Sequence, residues 1–417
     1  MNNLINIISK NSKHAFKEIS ISPIKMRNDA ILNTADLLEK NKSKILEENR
    51  KDLESVKNKK LSKSFIDRLT LNKSRIDAMC KGLLEISKLS DPVGRKLDQW
   101  ERPNGLSISK VSVPLGIIGI IYESRPNVTI DAGSLCIKSG NSSILRGGSD
   151  SFHTSKYLTE LLREGLKISG LPSDSVQFVS TTDRKMVSEM LKAVGKIDII
   201  IPRGGKSLIS KIQEDAKVPV FAHLEGICHV YVDHEADLNK AKKIVINSKM
   251  RRPGICGAAE TLLIDKKLSK KSLKEIIDEL KNYGCEIRAE KNIFDQFPDI
   301  YLANELDWST EYLDSIISMK YVDGVYGAIN HINRYSSNHT DSIITENKKT
   351  ADSFLNKIDS AIIMHNASTQ FADGGEFGMG AEIGISTGRI HARGPVGASQ
   401  LTSFKYIVRG SGQTRDN

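Results

Sequence analysis

Hydrophobic positions along the 417-residue chain follow two different periods. In residues 21–91 they recur three and four positions apart, which predicts amphipathic helices. The sequence Asp91-Pro92-Val93-Gly94 ends this helical segment. Hydrophobic and polar residues then alternate after the turn signal Pro103-Asn104-Gly105, a pattern that predicts a β-hairpin over residues 99–113.

From Gly116 onward, short hydrophobic runs alternate with amphipathic segments. The runs GIIGIIYE, NSSILRGG and KIDIIIPRGG are predicted strands, with predicted helices between them. The same alternation starts again near residue 224 with the strand HVYVD. Because strands that alternate with helices are typical of α/β proteins, we predict two domains with doubly wound parallel sheets. The segment LTSFKYIVRGSG near the C-terminus is one more predicted strand, without an evident partner.

Composition and charge narrow the class of protein. Hydrophobic residues make up 39% of the chain and charged residues 27%, as in ordinary globular proteins. No run is long enough to span a membrane, and the polar N-terminus is not typical of a signal peptide, so we expect a cytoplasmic protein. The net charge of +10 would suit nucleic acid, a membrane surface or small anions. Basic residues are mixed with acidic ones on predicted helices, however, which favours a solvated surface over a nucleic-acid groove.

Two predicted strands end in an arginine and two glycines, and a helix follows each. Such a connection directs backbone N–H groups and a helix dipole at an anion. Neither loop has the spacing of a dinucleotide fingerprint or a Walker loop, so a simple tight turn is the alternative. An acidic residue would repel a 2′-phosphate, whereas Arg146 beside Ser149 tolerates one, which favours NADP over NAD. The candidate cofactor-binding residues are Arg146, Gly147, Gly148 and Ser149 (the first glycine loop) and Arg203, Gly204 and Gly205 (the second glycine loop).

One of the five cysteines, Cys256, lies among small residues in MRRPGICGAAET. A substrate could approach a thiol with so little crowding, and Arg251 and Arg252 would lower its pKa if they point inward. The residues leave two interpretations open, a nucleophile or a small buried apolar side chain. The remaining cysteines suit the second interpretation, and their scatter argues against a disulfide framework or a zinc site: Cys80, Cys136, Cys228 and Cys285.

Eight segments resemble, in chain order, the gamma-glutamyl phosphate reductase family of the aldehyde dehydrogenase superfamily. They are VPLGIIGIIYESRPNVT, GNSSILRGG, IPRGGKSLI, GICHVYVD, RRPGICGAAETLL, AINHINRYSSNHTDSIIT, FADGGEFGMGAEIGIST and RIHARGPVG. The resemblance implies an α/β fold of the aldehyde dehydrogenase type in three parts. These are an NADP-binding domain of residues 1–98 and 114–223, a catalytic domain of residues 224–390, and an oligomerisation hairpin and C-terminal strand of residues 99–113 and 400–417.

The resemblance also implies an activity, the NADPH-dependent reduction of L-glutamyl 5-phosphate to L-glutamate 5-semialdehyde in proline biosynthesis. Cys256 falls at the position of the nucleophile, which would form a thioester as phosphate leaves. The backbone N–H of Cys256 and a side chain of ESRPN would stabilise the oxyanion. Either Arg125 or Asn127 fits that second role, and Arg125 is also a candidate for holding the departing phosphate.

Other polar residues are candidates for contacts with substrate. Arg252 could pair with the thiolate or the phosphate, Arg393 with the α-carboxylate, and Glu376 with the α-ammonium, although a loop-stabilising carboxylate is the alternative for Glu376. His331 and His339 lack metal-ligand spacing, so we expect no metal. We expect a homo-oligomer that binds neither nucleic acid nor a membrane, and contact with the glutamate 5-kinase that supplies the substrate is left open.

The chain departs from the superfamily where oxidising members carry the glutamate that activates water. Alignment places His223 at that position, and Glu225 lies two residues further on. The missing glutamate suits an enzyme whose thioester reacts with hydride and not with water. Ser149 stands where the reductase family commonly has lysine, which weakens the case for NADP. Two alternatives remain: a coenzyme A-acylating dehydrogenase of the same superfamily, and a non-catalytic basic binding protein on this fold.

Overall fold

The computed structural model describes residues 2–222 and 224–415, with helices and strands throughout. The helices are α1 (Asn2–Ile19), α2 (Ile24–Lys40), α3 (Lys42–Val56), α4 (Lys63–Leu69), α5 (Lys73–Lys88), α6 (Asn127–Lys138), α7 (Phe152–Ile168), α8 (Lys185–Leu191), α9 (Lys206–Asp215), α10 (Leu238–Met250), α11 (Lys270–Asn282), α12 (Lys291–Phe294), α13 (Gly324–Tyr335) and α14 (Lys348–Lys357). Within the described residues, no helix combines the length and hydropathy needed to cross a membrane.

The strands form four sheets. They are β1 (Lys96–Glu101), β2 (Ser107–Pro114), β3 (Ile117–Tyr122), β4 (Ser142–Gly147), β5 (Val176–Phe178), β6 (Ile199–Arg203), β7 (Cys228–Val232), β8 (Ala259–Asp265), β9 (Glu286–Ala289), β10 (Tyr301–Leu302), β11 (Ile316–Val322), β12 (Thr340–Ile344), β13 (Ile362–His365), β14 (Ile385–Ser386), β15 (Gly394–Pro395) and β16 (Thr402–Arg409). The chain divides into two compact units, Met1–Ala222 with Gly378–Gly384 and Val396–Asn417, and His223–Phe377 with Ile385–Pro395.

The helices predicted in residues 21–91 are present as α2 to α5. Helix α5 illustrates their origin, because the Asn72 side chain accepts the Arg75 N–H and the helix then buries Ile76, Met79, Leu83 and Ile86 on one face. The structure adds α1, which the sequence analysis did not predict. Its Ile5 and Ile8 pack with Ile117, Ile144 and other residues of the first unit's core.

The first unit contains a parallel sheet of strand order β5-β4-β3-β6. Every residue of β3 and β4 is buried, and α1 and α6 contact both strands. Chain order runs outward from β3 to β5 on one side and resumes at β6 on the other. The carboxyl ends of β3 and β6 therefore form the kind of crevice in which doubly wound sheets bind ligands.

The second unit contains a parallel sheet of strand order β10-β9-β11-β8-β7-β12-β13. The central strands β7 and β8 are buried along their whole length, as expected for strands covered on both faces. A core cluster that includes residues of α10 and α11 packs on the sheet, and a second cluster includes residues of α13 and α14. The prediction of an α/β fold with doubly wound parallel sheets is confirmed.

The predicted hairpin is the antiparallel pair β1–β2, and β16 pairs with β2 along its length, from Thr402 opposite Pro114 to Arg409 opposite Ser107. All three strands lie in the first unit. The same unit includes Gly378–Gly384, a stretch that the sequence analysis assigned to residues 224–390 with the thiol. This stretch is joined to the chain after it by hydrogen bonds between Ile383, Gly384 and Val396.

Candidate active site

The first glycine loop follows β4 and precedes α7. Arg146 is buried, and its guanidinium donates to the carbonyls of Gly147 at 2.6 Å and Thr182 at 3.2 Å. The Asp150 carboxylate folds back over the loop, since a Cβ on Gly148 would lie 2.1 Å from its Oδ1 atom. Ser149 is exposed. The backbone that was predicted to bind an anion thus packs against the Asp150 carboxylate, near the buried Arg146 guanidinium.

The second glycine loop follows β6 and has a similar arrangement. The Glu123 carboxylate accepts a hydrogen bond from the Gly205 N–H. The Glu123 N–H donates to the Arg203 carbonyl at 2.9 Å, which joins the ends of β3 and β6. Arg203 is half-buried. The second glycine loop therefore directs a backbone N–H toward a carboxylate, which is consistent with a site that attracts an anion.

Within residues 2–222 and 224–415, the buried polar atoms near these loops that lack a hydrogen-bond partner include Nε of Arg146, Nε of Arg203 and Oδ2 of Asp150. Buried polar atoms are almost always paired in folded proteins, so orphaned atoms at one crevice indicate space for a polar ligand. The residues of this crevice fit a phosphate-bearing nucleotide.

The two candidate oxyanion donors lie where β3 leads into α6. Ser124 is buried with φ of 49°, a left-handed conformation that is uncommon outside glycine and occurs often at functional sites. The carbonyl of Arg125 accepts the Val128 N–H at 3.0 Å as α6 begins. Asn127 is the first residue of that helix, and its Nδ2 donates to Oδ2 of Asp131 at 3.0 Å.

Sequence reasoning did not single out Asp131, which accepts a hydrogen bond from the candidate residue Asn127. Burial raises the pKa of its carboxyl to about 6, against the opposing effects of the Asn127 hydrogen bond and the Arg203 charge. The bond to Asp131 uses one of the two Asn127 amide protons and fixes the side chain. The spacing of four between the two residues was the available signal, because it puts them on one helix face.

Cys256 lies in the loop between α10 and β8, here called the thiol loop (residues 251–258). It is half-buried, whereas Cys136, Cys228 and Cys285 are buried. Burial raises the pKa of each of these three thiols, to about 12 for Cys285. Cys256 is thus the most accessible thiol of the second unit among the residues described.

The arginines that precede Cys256 are both exposed. Nη1 of Arg251 lies 3.5 Å from Oε1 of Gln370, and the Arg252 carbonyl accepts from Nε2 of the same glutamine at 3.4 Å. The Gln370 side chain therefore connects the start of the thiol loop to the segment that contains Gln370 and Phe371. The sequence leaves the direction of Arg251 and Arg252 open, and the exposure of both side chains gives no support to an inward direction. The Arg252 substrate role stays a prediction.

A buried ion pair closes the base of the thiol loop. Lys249, near the end of α10, and Glu260, at the start of β8, are both completely buried. Burial raises the pKa of Glu260 to about 7, opposed by the Lys249 charge and hydrogen bond. Sequence reasoning missed both residues, because eleven positions and a loop separate them and no local pattern connects them.

The candidate substrate residues near the C-terminus differ in their surroundings. Arg393 is half-buried and its Nη1 donates to Oδ1 of Asp359 at 2.7 Å, and Arg389 also pairs with Asp359. These hydrogen bonds hold the pKa of the Asp359 carboxyl below its usual range. Arg393 would have to leave Asp359 to bind a substrate carboxylate. Glu376 is exposed.

His331 and His339, two histidines considered in the sequence analysis, are both buried in the second unit. His331 packs its ring against His229, Trp308 and Tyr335. His339 is buried beside β12. His223, aligned with the hydrolytic glutamate, lies outside the described part of the chain, and Glu225 is half-buried.

A separate polar cluster lies where β7 and β8 end. Ligand atoms of Asp233, His234 and Asp265 lie within 4.8 Å of one another. The Tyr231 hydroxyl donates to both carboxylates, and Thr345 Oγ1 donates to Asp233 at 2.6 Å. These donors already bond oxygens of both carboxylates.

Comparison with known proteins agrees with this fold. Residues 2–292 match the model of the aldehyde dehydrogenase family. The chain belongs to the aldehyde dehydrogenase family.

Within that family, its relatives include gamma-glutamyl phosphate reductases. The chain is 56% identical over 409 residues to gamma-glutamyl phosphate reductase of Brucella suis biovar 1, covering 98% of this chain and 97% of that protein. The reductase of Mesorhizobium japonicum is also 56% identical, with 98% and 96% covered. The crystal structure of gamma-glutamyl phosphate reductase from Thermotoga maritima is 45% identical with a TM-score of 0.96, covering 99% of this chain and 100% of that one. The resemblance found in the sequence is confirmed.

A more distant solved structure shares the fold alone. The acetylating aldehyde dehydrogenase of Geobacillus thermoglucosidasius superimposes with a TM-score of 0.71 at 15% identity, over 100% of this chain and 98% of that one.

Proposed function

We propose that this protein reduces L-glutamyl 5-phosphate to L-glutamate 5-semialdehyde with NADPH and releases phosphate, the second step of proline biosynthesis from glutamate. The observation that carries the proposal is Cys256, a half-buried thiol on a glycine-flanked loop in a chain 56% identical to gamma-glutamyl phosphate reductases. Arg393 would take its predicted substrate role only after leaving Asp359.

In this mechanism the Cys256 thiolate attacks the acyl phosphate, a C–S bond forms, and the C–O bond to phosphate breaks. The bound nicotinamide supplies a hydride. The backbone N–H of Cys256, with Asn127 or Arg125, stabilises the oxyanion that forms before phosphate departs and again before the aldehyde is released. The C–S bond then breaks and Cys256 returns as thiolate.

A nicotinamide cofactor follows from membership of the family, and we propose NADP as its form. Arg146, Arg203 and the two glycine loops would hold its phosphates, in line with the orphaned guanidinium nitrogens at that crevice. Glu123 and Asp150 would disfavour a further phosphate, but the charges of Arg146 and Arg184 both act on Glu123 and oppose that effect. The preference for NADP therefore rests on the balance of these four charges.

We further propose a homo-oligomer formed through the β1–β2–β16 sheet, and a cytoplasmic location. The sheet exposes Trp100, Phe404, Tyr406 and Val408, and apolar side chains on open sheet edges favour association. Contact with the glutamate 5-kinase stays an open proposal, motivated only by the lability of an acyl phosphate.

The reverse reaction tests the proposal. Enzyme, semialdehyde and NADP are incubated with phosphate or with coenzyme A, and NAD is run in parallel. We expect NADPH to form with phosphate, Cys256→Ala to abolish its formation, and Cys285→Ala to retain it. NADPH formation with coenzyme A alone would support the acylating alternative. Nucleic-acid binding that survives Cys256→Ala and weakens steeply with salt would support the non-catalytic alternative.

A further inference from the structure

The thiol of Cys228 contacts the backbone of the thiol loop. Its Sγ lies 3.1 Å from the carbonyl oxygen of Cys256. Cys228 is completely buried as the first residue of β7. A thiol is a weak donor, and this distance lies within the range of an S–H···O hydrogen bond. The contact therefore joins a central strand to the peptide that follows the nucleophile.

That peptide joins the two central residues of a tight turn. The Ala258 N–H donates to the Ile255 carbonyl at 3.0 Å, so Cys256 and Gly257 are the two central residues. Rotation of the peptide between them interconverts type I and type II turns, and type II needs positive φ at the second central residue. Gly257 can adopt that conformation but does not do so here. A donor aimed at the Cys256 carbonyl opposes the rotation.

The residues just before Cys228 fit against the same peptide. A Cβ on Gly226 would lie 2.1 Å from the Cys256 carbonyl oxygen and 2.7 Å from its Cα, so only glycine permits this approach. The Gly226 N–H donates to Oε1 of Glu311 at 2.8 Å, and the Ile227 N–H donates to Oγ of Ser337 at 2.8 Å. Side chains from elsewhere in the unit thus fix the segment that carries the thiol.

The environment of Cys228 keeps its proton in place. Burial, with the nearby charges of Asp341, Cys256 and Glu260, raises the pKa of this thiol well above its usual range. Nδ1 of His339 lies 3.6 Å from Sγ and 2.9 Å from Oγ1 of Thr340. Because the sulfur stays protonated, the S–H group remains a donor at the pH of the reaction.

We propose that Cys228 is a positioning residue, whose S–H···O hydrogen bond holds the peptide after Cys256 in one orientation and so fixes the direction of the nucleophile and its N–H. This inference rests on the proposed role of Cys256. Without the hydrogen bond, the turn populates both orientations and only part of the enzyme is competent at any moment. The loss then falls on kcat, with KM little changed.

Four variants test the proposal in the phosphate-dependent assay. Cys228→Ala and Cys228→Val remove the donor, Cys228→Ser keeps one, and Cys285→Ala removes a different buried thiol of the same unit. We expect Ala and Val to lower kcat about tenfold, the size of effect expected for loss of one hydrogen bond, with KM within about twofold. Serine should recover most of kcat, and Cys285→Ala should match the wild type.

The proposal is overturned if Cys228→Ala or Cys228→Val keeps the kcat of Cys285→Ala, or if serine is as slow as valine. Thermal unfolding checks that each variant folds, and whichever of the Ala and Val variants folds serves for the comparison. A different failure is distinguishable from these. If the wild type lacks phosphate-dependent turnover, or if Cys256→Ala retains that turnover, the proposed function itself is wrong.

A measurement on the wild type adds a readout that does not depend on activity. The infrared S–H stretch of Cys228, isolated as wild type minus Cys228→Ser, should lie at lower frequency than that of Cys136, isolated with Cys136→Ala. Cys136 is buried on α6 in an apolar environment. Equal frequencies would show that the Cys228 thiol donates no hydrogen bond, and the proposal would fall.

Discussion

Nζ of Lys249 lies 2.5 Å from Oε2 of Glu260, and neither side chain is accessible to solvent. The pair joins the end of α10 to the start of β8, so it closes the base of the loop that carries Cys256. Oε1 of Glu260 also accepts the Leu313 N–H at 3.3 Å. A charged pair in this position links the stability of the unit to the geometry of the loop.

Breaking this pair should destabilise the protein strongly. Glu260→Gln leaves the Lys249 ammonium buried without a counter-charge, and Lys249→Met leaves the Glu260 carboxylate buried without one. Each substitution should therefore lower the free energy of unfolding by about 3 kcal/mol. The double variant Lys249→Met/Glu260→Leu should cost less than the sum of the single variants. Urea denaturation measures all three.

Lys274→Met is the matched control for that experiment, since the Lys274–Asp278 pair has the same 2.5 Å separation but is exposed. We expect its unfolding free energy to equal that of the wild type. Additive costs for the Lys249 and Glu260 substitutions would contradict the coupling.

His331 should make the protein less stable in acid. Burial, followed by the charges of His229, Lys320 and Arg334, lowers its pKa to about 2, against 6.5 for an ordinary histidine. The unfolded chain therefore binds a proton below about pH 6.5 that the folded protein does not, and stability falls as the pH falls. From pH 7.5 to 5.5 this group should remove about 1.4 kcal/mol.

His331→Phe should abolish that part of the pH dependence, because phenylalanine suits the surrounding aromatic rings and does not titrate. Urea unfolding at the two pH values compares the variant with the wild type. His14→Gln, at a position where 81% of the side chain is exposed, is the control and should follow the wild type. Equal losses in wild type and His331→Phe would contradict the assignment.

Asn127 and Arg125 should affect different kinetic constants. Asn127 is held by Asp131, as an oxyanion donor needs to be, so Asn127→Ala should lower kcat about 100-fold with little change in KM. Arg125→Gln should mainly raise the KM for phosphate in the reverse reaction. Steady-state kinetics of both variants separate the roles, and a change in kcat alone for Arg125→Gln would reverse our assignment.

The exposed face of β16 should control the oligomeric state. Phe404, Tyr406 and Val408 point to one face of the strand because side chains alternate. Tyr406→Asp should lower the mass measured by light scattering to that of a smaller assembly, since a charge is costly in an apolar interface. Lys405→Glu, on the opposite face, is the control. An unchanged mass for Tyr406→Asp would exclude this face as the interface.

Much of the fold was predictable because periodicity reflects burial. Continuous hydrophobic runs identified strands such as β3 and β4, and the turn Pro103-Asn104-Gly105 identified the β1–β2 hairpin. Helix α1 was missed although Ile5, Ile8, Ala15 and Ile19 follow a helical spacing and are buried. The polar composition of that segment was used only to argue against a signal peptide, and its helical spacing was overlooked.

The site was less predictable, because its geometry depends on contacts between distant positions. The resemblance pointed to Cys256, and the glycine loops were evident as strand ends. Burial of Cys228 was expected from its apolar surroundings, but not its bond to the Cys256 carbonyl, 28 positions away. The Glu123 carboxylate at the second glycine loop likewise left no local pattern, since Glu123 is far from that loop in the chain.

The pairing of β16 with β2 has a consequence for synthesis. Its partners, such as Ser107 and Arg409, lie roughly 300 residues apart in the chain. At ~5–20 residues per second, β2 leaves the ribosome roughly 15 to 60 s before β16 is made. During that interval β1 covers one edge of β2 and the other edge stays open. The nascent chain is therefore open to wrong strand pairing along β2 until β16 emerges.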